Sequence, residues 1–241
     1  MAALTLVKRG DNFELFTDGK NAVLKVKNVR VSFPACGEPQ DQKDDDGHPT
    51  GEKAWQITPM LEKGKHAAAR AECQKLIDQL LIENNPENKN GEKNKLKMKA
   101  EYIALKDGDN ETRSEYEGHW VISCNEKTRA PSIRDLRGES ITDRDEIDKL
   151  FYGGCTAHVM LRFWFFKGTA KGKAQTFPKR VCAGFVGAQF VKATEAFGQG
   201  RIDDTDAWGS AEEDAGDVDN GDDDGLGGGK KGKPSYDDDE F

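Results

Sequence analysis

The stretch Tyr152–Lys167, YGGCTAHVMLRFWFFK, begins with a pair of glycines and continues as a run of β-branched and aromatic residues. Its side chains lack helical spacing and fit a period of two, which predicts a β-strand. One face of that strand would consist of Cys155, Ala157, Val159, Leu161, Phe163 and Phe165. The opposite face would consist of Thr156, His158, Met160, Arg162, Trp164 and Phe166. The first face belongs in a hydrophobic core, whereas the second combines a cation, an imidazole and aromatic rings.

This second face supports two interpretations. A strand with an apolar back and an aromatic, basic front is typical of surfaces that hold single-stranded nucleic acid, because bases stack on rings and cations contact phosphates. Alternatively, the strand is buried on both faces, and the guanidinium of Arg162 reaches solvent at the end of its aliphatic stem. The stretch alone leaves both interpretations open.

Charge is distributed unevenly along the 241 residues. Residues 203–241 contain fifteen acidic residues and three lysines, a charge of −12, whereas the whole chain carries −8. Residues 1–202 therefore form a mildly basic body with a charge of +4. The acidic segment has no apolar period and cannot bury enough surface to offset its chain entropy, so we predict a disordered tail over residues 196–241. Such a tail is either a solubility segment or a polyanion that competes with DNA for the basic body.

The five cysteines stand singly, without the paired spacing of a disulfide framework or a metal site. Together with four scattered histidines they predict reduced thiols, no metal and no cofactor. The chain shows neither the basic flank and apolar segment of a signal peptide nor an apolar run long enough to span a membrane. We therefore expect a soluble intracellular protein.

Patterned segments predict a mainly β fold. Alternating or valine-rich strands are expected at residues 21–34, with a bulge near Lys27, and at 53–61, 119–125, 152–167 and 179–192. About five strands with glycine-marked bends indicate a small closed or partly open β-barrel.

The other segments complete this organisation. Apolar residues three and four apart over residues 66–83 predict one inserted helix, and residues 36–51 have the composition of a polar surface loop. Residues 1–20 would be either a hairpin or a loosely attached arm. The predicted domain is therefore residues 21–195, between this amino-terminal segment and the acidic tail.

Cations lie beside aromatic residues at three places in the predicted strands and their connections. The groups are Trp120 with Lys127 and Arg129; Tyr152, Arg162 and Trp164 with Lys167; and Phe177 with Lys179 and Arg180. On a basic body these groups favour nucleic acid over a merely solvated surface. Because no segment resembles a base-reading helix, we predict binding without sequence preference. The candidate DNA-binding residues are Trp55, Lys97, Lys99, Trp120, Lys127, Arg129, Arg134, Arg137, Tyr152, His158, Arg162, Trp164, Lys167, Lys171, Lys173, Phe177, Lys179 and Arg180.

Several motifs together carry a family resemblance. They are Phe151-Tyr-Gly-Gly-Cys155, Phe163-Trp-Phe-Phe-Lys-Gly168 and Gly184-Phe-Val-Gly-Ala-Gln189, with weaker similarity at 29–34, 54–57 and 130–135. Over residues 23–192 and the tail, the chain resembles a family of bacteriophage single-stranded DNA-binding proteins.

The resemblance implies an all-β OB-fold, a five-stranded Greek-key barrel, that binds single-stranded DNA and catalyses no reaction. It implies a role in phage DNA replication, recombination and repair in the cytoplasm of the infected bacterium. It also implies that the acidic tail contacts replication proteins such as a polymerase or a helicase-primase. The candidate docking residues are Asp237, Asp238, Asp239, Glu240 and Phe241.

Two alternatives remain. One is an interaction scaffold or virion-associated protein that uses only the acidic tail. The other is a metal-dependent nuclease whose carboxylates would come from Asp135, Glu139, Asp143 and Asp145. These carboxylates lie among arginines in a polar connection, where solvated charges are the simpler explanation. The chain contains no GxxxxGK[ST] motif for cradling phosphates.

Overall fold

The computed structural model describes residues 3–43, 48–88, 92–169 and 177–198. In these residues the chain forms ten β-strands of one sheet, two α-helices and three short 3-10 turns. The strands are β1 (Thr5–Gly10), β2 (Phe13–Thr17), β3 (Ala22–Lys43), β4 (Pro49–Glu62), β5 (Leu105–Asp107), β6 (His119–Ile122), β7 (Cys124–Glu126), β8 (Ser132–Arg134), β9 (Thr156–Phe166) and β10 (Arg180–Lys192). The helices are α1 (Ala67–Glu83) and α2 (Arg144–Leu150). The predicted disordered tail lies outside the described residues beyond position 198.

Five of the strands pair in a closed ring. Strand β3 pairs with β4 and with β9, β9 pairs with β10, β10 pairs with β7, and β7 pairs with β4. The β10–β7 pairing is parallel and the other four are antiparallel. A sheet closed on itself has no free edge along the ring and encloses its own hydrophobic core.

Strand β9 has one face in that core, as its alternation predicts. Val159 and Leu161 are fully buried, and Phe163 is 7% exposed. On the opposite face Arg162 is half-buried and Trp164 is 40% exposed. The strand is therefore not buried on both faces, and its aromatic and basic face is turned toward solvent.

Helix α1 covers the core with the apolar stripe that the sequence predicts. Ala69, Cys73, Ile77 and Leu81 are buried and recur every fourth residue. Besides the one inserted helix, residues 140–151 have the sequence of a short capped turn or helix, and the structure forms the short helix α2 there. Its first turn is capped by Asp143, whose carboxylate accepts a hydrogen bond from the Glu146 backbone N–H at 2.9 Å. In the described part of the chain, neither helix is long and apolar enough to cross a membrane.

The number of strands is also higher than the five predicted. Residues 36–51 were expected to form a polar loop, but β3 continues to Lys43 and β4 begins at Pro49, so the two strands form an antiparallel ribbon. A ribbon exposed on both sides needs only backbone hydrogen bonds and therefore shows no apolar alternation. The strands β5, β7 and β8, each of three residues, are too short to show a period. The predicted bulge in β3 is confirmed, since its register against β9 shifts between Val26 and Val29.

Residues 5–17 form a hairpin that extends the sheet beyond the ring. Strand β1 pairs with β2, and β2 pairs with β3, where Phe13 lies opposite Val26. The Phe13 ring is 3% exposed, and Lys8 forms an ion pair with Glu72 of α1. The hairpin is thus anchored both by core packing and by α1. The division of the chain at residues 20 and 195 stays a prediction.

The segment after β10, residues 193–198, is held against the Tyr-Gly-Gly turn that precedes β9. The Tyr152 hydroxyl donates a hydrogen bond to the Thr194 carbonyl at 2.7 Å and accepts one from the Thr194 N–H at 3.0 Å. The Phe197 N–H donates to the Gly153 carbonyl at 2.8 Å. Arg30 donates to the Glu195 carbonyl and places its guanidinium carbon 4.1 Å from the centre of the Phe197 ring. We call these contacts the carboxyl-terminal latch.

All five cysteines are free thiols, and four of them are buried. Burial raises the pKa of Cys73 to about 12 and the pKa of Cys155 to about 11. These thiols are therefore protonated at neutral pH and act as small apolar core residues.

Candidate nucleic-acid interface

An aromatic cluster with one arginine at its centre lies on the outer face of β9 and β10. The rings of Trp164 and Phe166 meet edge to face, with centroids 6.2 Å apart and an interplanar angle of 85°. The guanidinium carbon of Arg180 lies 5.4 Å from the ring centres of both Phe166 and Phe177. This geometry follows from register, because Arg180 is opposite Phe166 and Cys182 is opposite Trp164. We refer to Trp164, Phe166, Phe177 and Arg180 as the aromatic cluster.

Two aromatic rings of the cluster are exposed to solvent. Trp164 is 40% exposed and Phe177 is 48% exposed. The residue opposite Arg162 on β10 is Gly184, and a Cβ there would lie 4.0 Å from the Trp164 ring. The absence of a side chain at Gly184 leaves the edge of the indole uncovered. Flat rings that solvent can reach, beside a cation, are able to stack with nucleic-acid bases.

Two further cations lie close enough to act on groups at the cluster. Burial raises the pKa of the Cys182 thiol, and the charges of Arg180 and Lys127 oppose that rise. The pKa of Tyr102 is raised mainly by a hydrogen bond with Glu101, and the charges of Lys99 and Arg180 oppose it. The charge of Lys127 therefore acts together with that of Arg180 at Cys182, and the charge of Lys99 acts together with that of Arg180 at Tyr102.

Within the described residues, the two lysines pair with exposed carboxylates. Lys127 forms an ion pair with Glu52, and the Lys99 Nζ lies 3.6 Å from the Glu101 Oε1. Exposed ion pairs of this kind contribute only about 0–1 kcal/mol. A phosphate can therefore replace either carboxylate at little cost.

A strip of small and polar side chains crosses the outer face from β4 to the aromatic cluster. Gln56 lies opposite Asn125, Asn125 opposite Gly184, and Gly184 opposite Arg162. With neighbouring strands about 4.8 Å apart, these three steps span about 14 Å. We call Gln56, Asn125, Gly184 and Arg162 the polar strip.

Trp120 lies away from the cluster. The sequence placed it with Lys127 and Arg129, and this grouping is wrong. Its ring lies 5.4 Å from the Arg70 guanidinium carbon and 5.8 Å from the Lys63 Nζ. Strand β6 ends at Ile122 and pairs Trp120 with Leu61. This pairing directs the Trp120 ring toward α1, which explains why it does not join Lys127 and Arg129.

Three other predicted residues have structural contacts in the described part of the chain. Trp55 is half-buried and packs against the core. Tyr152 belongs to the carboxyl-terminal latch. Arg134 donates from Nη1 to the Gly138 carbonyl at 2.7 Å, which closes the turn after β8. These contacts account for the three side chains without DNA, and their role in binding stays a prediction.

His158 is a neutral imidazole and not a cation. Its Nδ1 accepts a hydrogen bond from the Asn28 backbone N–H at 3.0 Å. Burial lowers the pKa of His158, and the nearby charges of Lys25 and Lys27 lower it further. At neutral pH the positive charge near His158 therefore comes from Lys25 and Lys27, and the imidazole ring itself is uncharged.

The remaining predicted residues are mostly exposed cations. Lys97, Arg129, Arg137, Lys167 and Lys179 are exposed. Arg162 is half-buried and acts on Asp18, whose pKa of about 2 is set mainly by a hydrogen bond from the Asn21 side chain. The candidates that lie outside the described residues are Lys171, Lys173 and the docking residues Asp237, Asp238, Asp239, Glu240 and Phe241.

Sequence reasoning missed Tyr102 and left Phe166 out of the site. Phe166 is on the predicted outer face of β9, so its position in the alternation could have identified it. Tyr102 lies close enough to Arg180 for that charge to act on its pKa, and its neighbour Ile103 forms an isolated bridge with Val181. A contact between residues so far apart in the chain leaves no local signal in the sequence.

Two of the four carboxylates proposed for a nuclease serve local structure. Asp143 caps α2, and the Asp135 Oδ1 accepts a hydrogen bond from the Glu139 N–H at 2.8 Å. Across the described ranges, no three histidine, cysteine or acidic side chains group as metal ligands would. The geometry here gives the nuclease alternative no support.

Comparison with known proteins places the chain in a family. A sequence model described as the single-stranded DNA-binding protein of Enterobacter phage Enc34 matches residues 22–218. The solved single-stranded DNA-binding protein of bacteriophage Enc34 is similar in structure, with 29% sequence identity and a TM-score of 0.65 over 85% of this chain and 98% of that one.

Two further solved forms of that protein agree. Its complex with single-stranded DNA shows 28% identity and a TM-score of 0.66 over 81% of this chain, and a carboxyl-terminal truncation gives 28% and 0.64 over 80%; each match covers 98% of the other chain. No curated protein sequence matches. Because the family model covers most of the sequence, this chain belongs to the Enc34 single-stranded DNA-binding protein family.

Proposed function

We propose that this protein binds single-stranded DNA without sequence preference and catalyses no reaction. The observation that carries the proposal is the aromatic cluster, where Trp164 and Phe177 are exposed around Arg180 at one end of the polar strip. Rings supply sequence-tolerant stacking, and the cations supply phosphate contacts. Family membership supports the same function, since a solved member of the family is in complex with single-stranded DNA.

We further propose that the closed ring of β3, β4, β7, β10 and β9 is the five-stranded Greek-key barrel of an OB-fold. The order of pairing and the parallel contact between β7 and β10 support this assignment. OB-folds bind oligonucleotides on their second and third strands and on the connections after the first and fourth. Here these elements correspond to β4 and β7, to the β3–β4 ribbon and to the β9–β10 connection. They include Gln56, Asn125 and Phe177.

The biological setting is part of the proposal. The protein would act in phage DNA replication, recombination and repair in the cytoplasm of the infected bacterium. The acidic tail would dock replication proteins through Asp237–Phe241, because a short acidic run that ends in an aromatic residue offers both charge and an apolar anchor to a basic partner.

The deciding experiment is a gel shift of the full-length protein and of residues 1–202 on single-stranded and duplex DNA, with and without Mg²⁺. We expect intact single-stranded DNA to shift in every condition, and more strongly than duplex DNA. Shortened DNA in the presence of Mg²⁺ would indicate a nuclease. No shift by either protein would leave the interaction scaffold as the better alternative.

The affinity for single-stranded DNA should depend strongly on salt. Phosphate contacts by Lys99, Lys127, Arg162 and Arg180 release counterions, so the logarithm of affinity should fall linearly with the logarithm of salt concentration, by about 0.7 per phosphate. Lys127→Ala should reduce this slope by about 0.7. The matched control is Lys75→Ala, which removes an exposed lysine of α1 and should leave the slope unchanged. A flat dependence in the wild-type protein would contradict phosphate binding at this surface.

Removing the tail should raise the affinity for DNA. Residues 203–241 carry −12 and are tethered to a body of +4, so they compete with DNA at a high effective concentration. Titration of the 1–202 protein should show several-fold tighter binding than the full chain at low salt. The difference should vanish near 1 M salt, where the Debye length is about 3 Å. Deleting only Phe241 should leave DNA affinity unchanged and weaken partner docking. Equal affinities of the two proteins at low salt would refute competition by the tail.

A further inference from the structure

Phe33 has an unusual backbone conformation. Its φ is +47°, in the left-handed region that bulky side chains rarely occupy. The residue lies where the β3–β4 register shifts, between Ser32 and Ala35. Glycine or asparagine adopts this conformation at a lower free-energy cost. A strained backbone of this kind persists where the surrounding structure enforces it, and such residues are concentrated at functional sites.

Burial does not account for the phenylalanine. Its side chain is 41% exposed, so it gains only part of the hydrophobic stabilisation of a core ring. The ring lies against a cation, since the Arg113 guanidinium carbon is 4.2 Å from the ring centre. Arg113 is itself about half exposed and has Glu115 as a neighbour, with Nη1 and Oε1 3.7 Å apart. An exposed ring beside an exposed guanidinium repeats the chemistry of the aromatic cluster.

Phe33 lies at the opposite end of the polar strip from Trp164. Two positions after it, Ala35 is opposite Gln56, which is the first residue of the strip. From Ala35 to Arg162 the register makes four steps between neighbouring strands around the closed ring, a path of about 19 Å along its surface. The register therefore connects the two exposed aromatic groups around the outside of the ring.

We propose that Phe33 and Arg113 form a second stacking platform for single-stranded DNA, at the end of the polar strip away from Trp164. A base stacks on the exposed part of the Phe33 ring, and the Arg113 guanidinium neutralises an adjacent phosphate. The inference rests on the proposed function and adds where the strand runs: from the aromatic cluster, along the polar strip, to the β3–β4 bulge. A path of about 19 Å around the ring accommodates several nucleotides, within the usual site size of about 4–16 per OB-fold.

The variant Phe33→Asn separates binding from stability. Asparagine tolerates the left-handed backbone, so the urea midpoint of unfolding should stay the same or rise. Loss of the stacked base should weaken binding to a long oligo-dT by about 5- to 150-fold. The control is Val7→Ala, which trims another exposed apolar side chain, on β1, and should change neither quantity. Weaker DNA binding with an unchanged or higher urea midpoint is the expected result for a residue kept for binding.

Oligo-dT length provides the second readout, with Trp164→Ala measured in parallel. Wild-type affinity should increase with length until one strand reaches both platforms, and Phe33→Asn should remove the last increment. If Phe33→Asn binds every length as the wild type does while Trp164→Ala binds weakly, the second platform is wrong and the proposed function stands. If the wild-type protein binds no single-stranded DNA, the proposed function fails, and the second platform with it. A parallel loss of stability and affinity in Phe33→Asn would show a structural role and overturn the inference.

Discussion

Replacing Trp164 with alanine should weaken binding to single-stranded DNA by about 1–3 kcal/mol and leave the free energy of unfolding nearly unchanged. The indole is 40% exposed, and its ring partner in the cluster is the half-buried Phe166. Removing it therefore opens no cavity in the core, while a stacked base loses its platform. Affinity is measured by titration with oligo-dT, and stability by urea unfolding of the same preparation.

The adjacent residue provides the control. Phe163 points to the other face of β9 and is only 7% exposed. Phe163→Ala should cost about 3–5 kcal/mol of stability, because it leaves a cavity in the core, while the fraction that stays folded keeps its affinity for DNA. Should Trp164→Ala unfold the protein and Phe163→Ala leave it stable, the assignment of the two faces is inverted.

The alternation of β9 was predictable because it is a local property. A strand with one buried face repeats every two residues, and a helix on a core repeats every three or four, so β9 and α1 are both visible in the sequence. The bulge in β3 left a similar trace, since the alternation slips near Lys27. These features need no knowledge of which segments meet in space.

The closed ring and the composition of the site depend on distant contacts. Nothing within residues 36–51 indicates that they continue two strands, because the ribbon is held by backbone hydrogen bonds. The cations near the aromatic cluster come from separate segments of the chain. Tyr102 is brought near Arg180 by one isolated bridge, between its neighbour Ile103 and Val181 of β10. Trp120 is near Lys127 and Arg129 in the sequence, but in the fold its ring lies beside Lys63 and Arg70.

The pair Gly153 and Gly154 shows how a motif can be recognised before its role is understood. In the sequence the two glycines gave only a flexible entry to a strand. In the structure they form the surface on which residues 193–198 are latched. Gly154 has a φ of +110°, and its carbonyl oxygen accepts hydrogen bonds from Arg30 and from the Thr194 hydroxyl. The turn therefore connects β3 and β9 to the segment that follows β10.

Gly154→Ala should lower the free energy of unfolding by about 3 kcal/mol, through a strained left-handed alanine and the loss of latch contacts. A Cβ at Gly154 would lie 2.3 Å from the Glu195 carbonyl oxygen and 3.0 Å from the Phe197 nitrogen. Both atoms are backbone, so residues 195–197 must move away as a unit. The measurement is urea unfolding of the full-length protein.

Gly153→Ala is the matched control within the same motif, and it should cost less than about 1 kcal/mol. Gly153 does not have a positive φ, and a Cβ there would come no closer than 3.8 Å to the Phe197 ring. Truncation after Lys192 completes a double-mutant cycle. In the truncated protein Gly154→Ala should cost only the backbone strain of about 1–2 kcal/mol, less than in the full chain, because no latch remains to be displaced. If Gly154→Ala lowers the stability of the full-length and truncated proteins equally, the latch adds nothing to stability. If Gly153→Ala and Gly154→Ala lower the stability of the full-length protein equally, neither the backbone conformation of Gly154 nor its close approach to residues 195–197 matters.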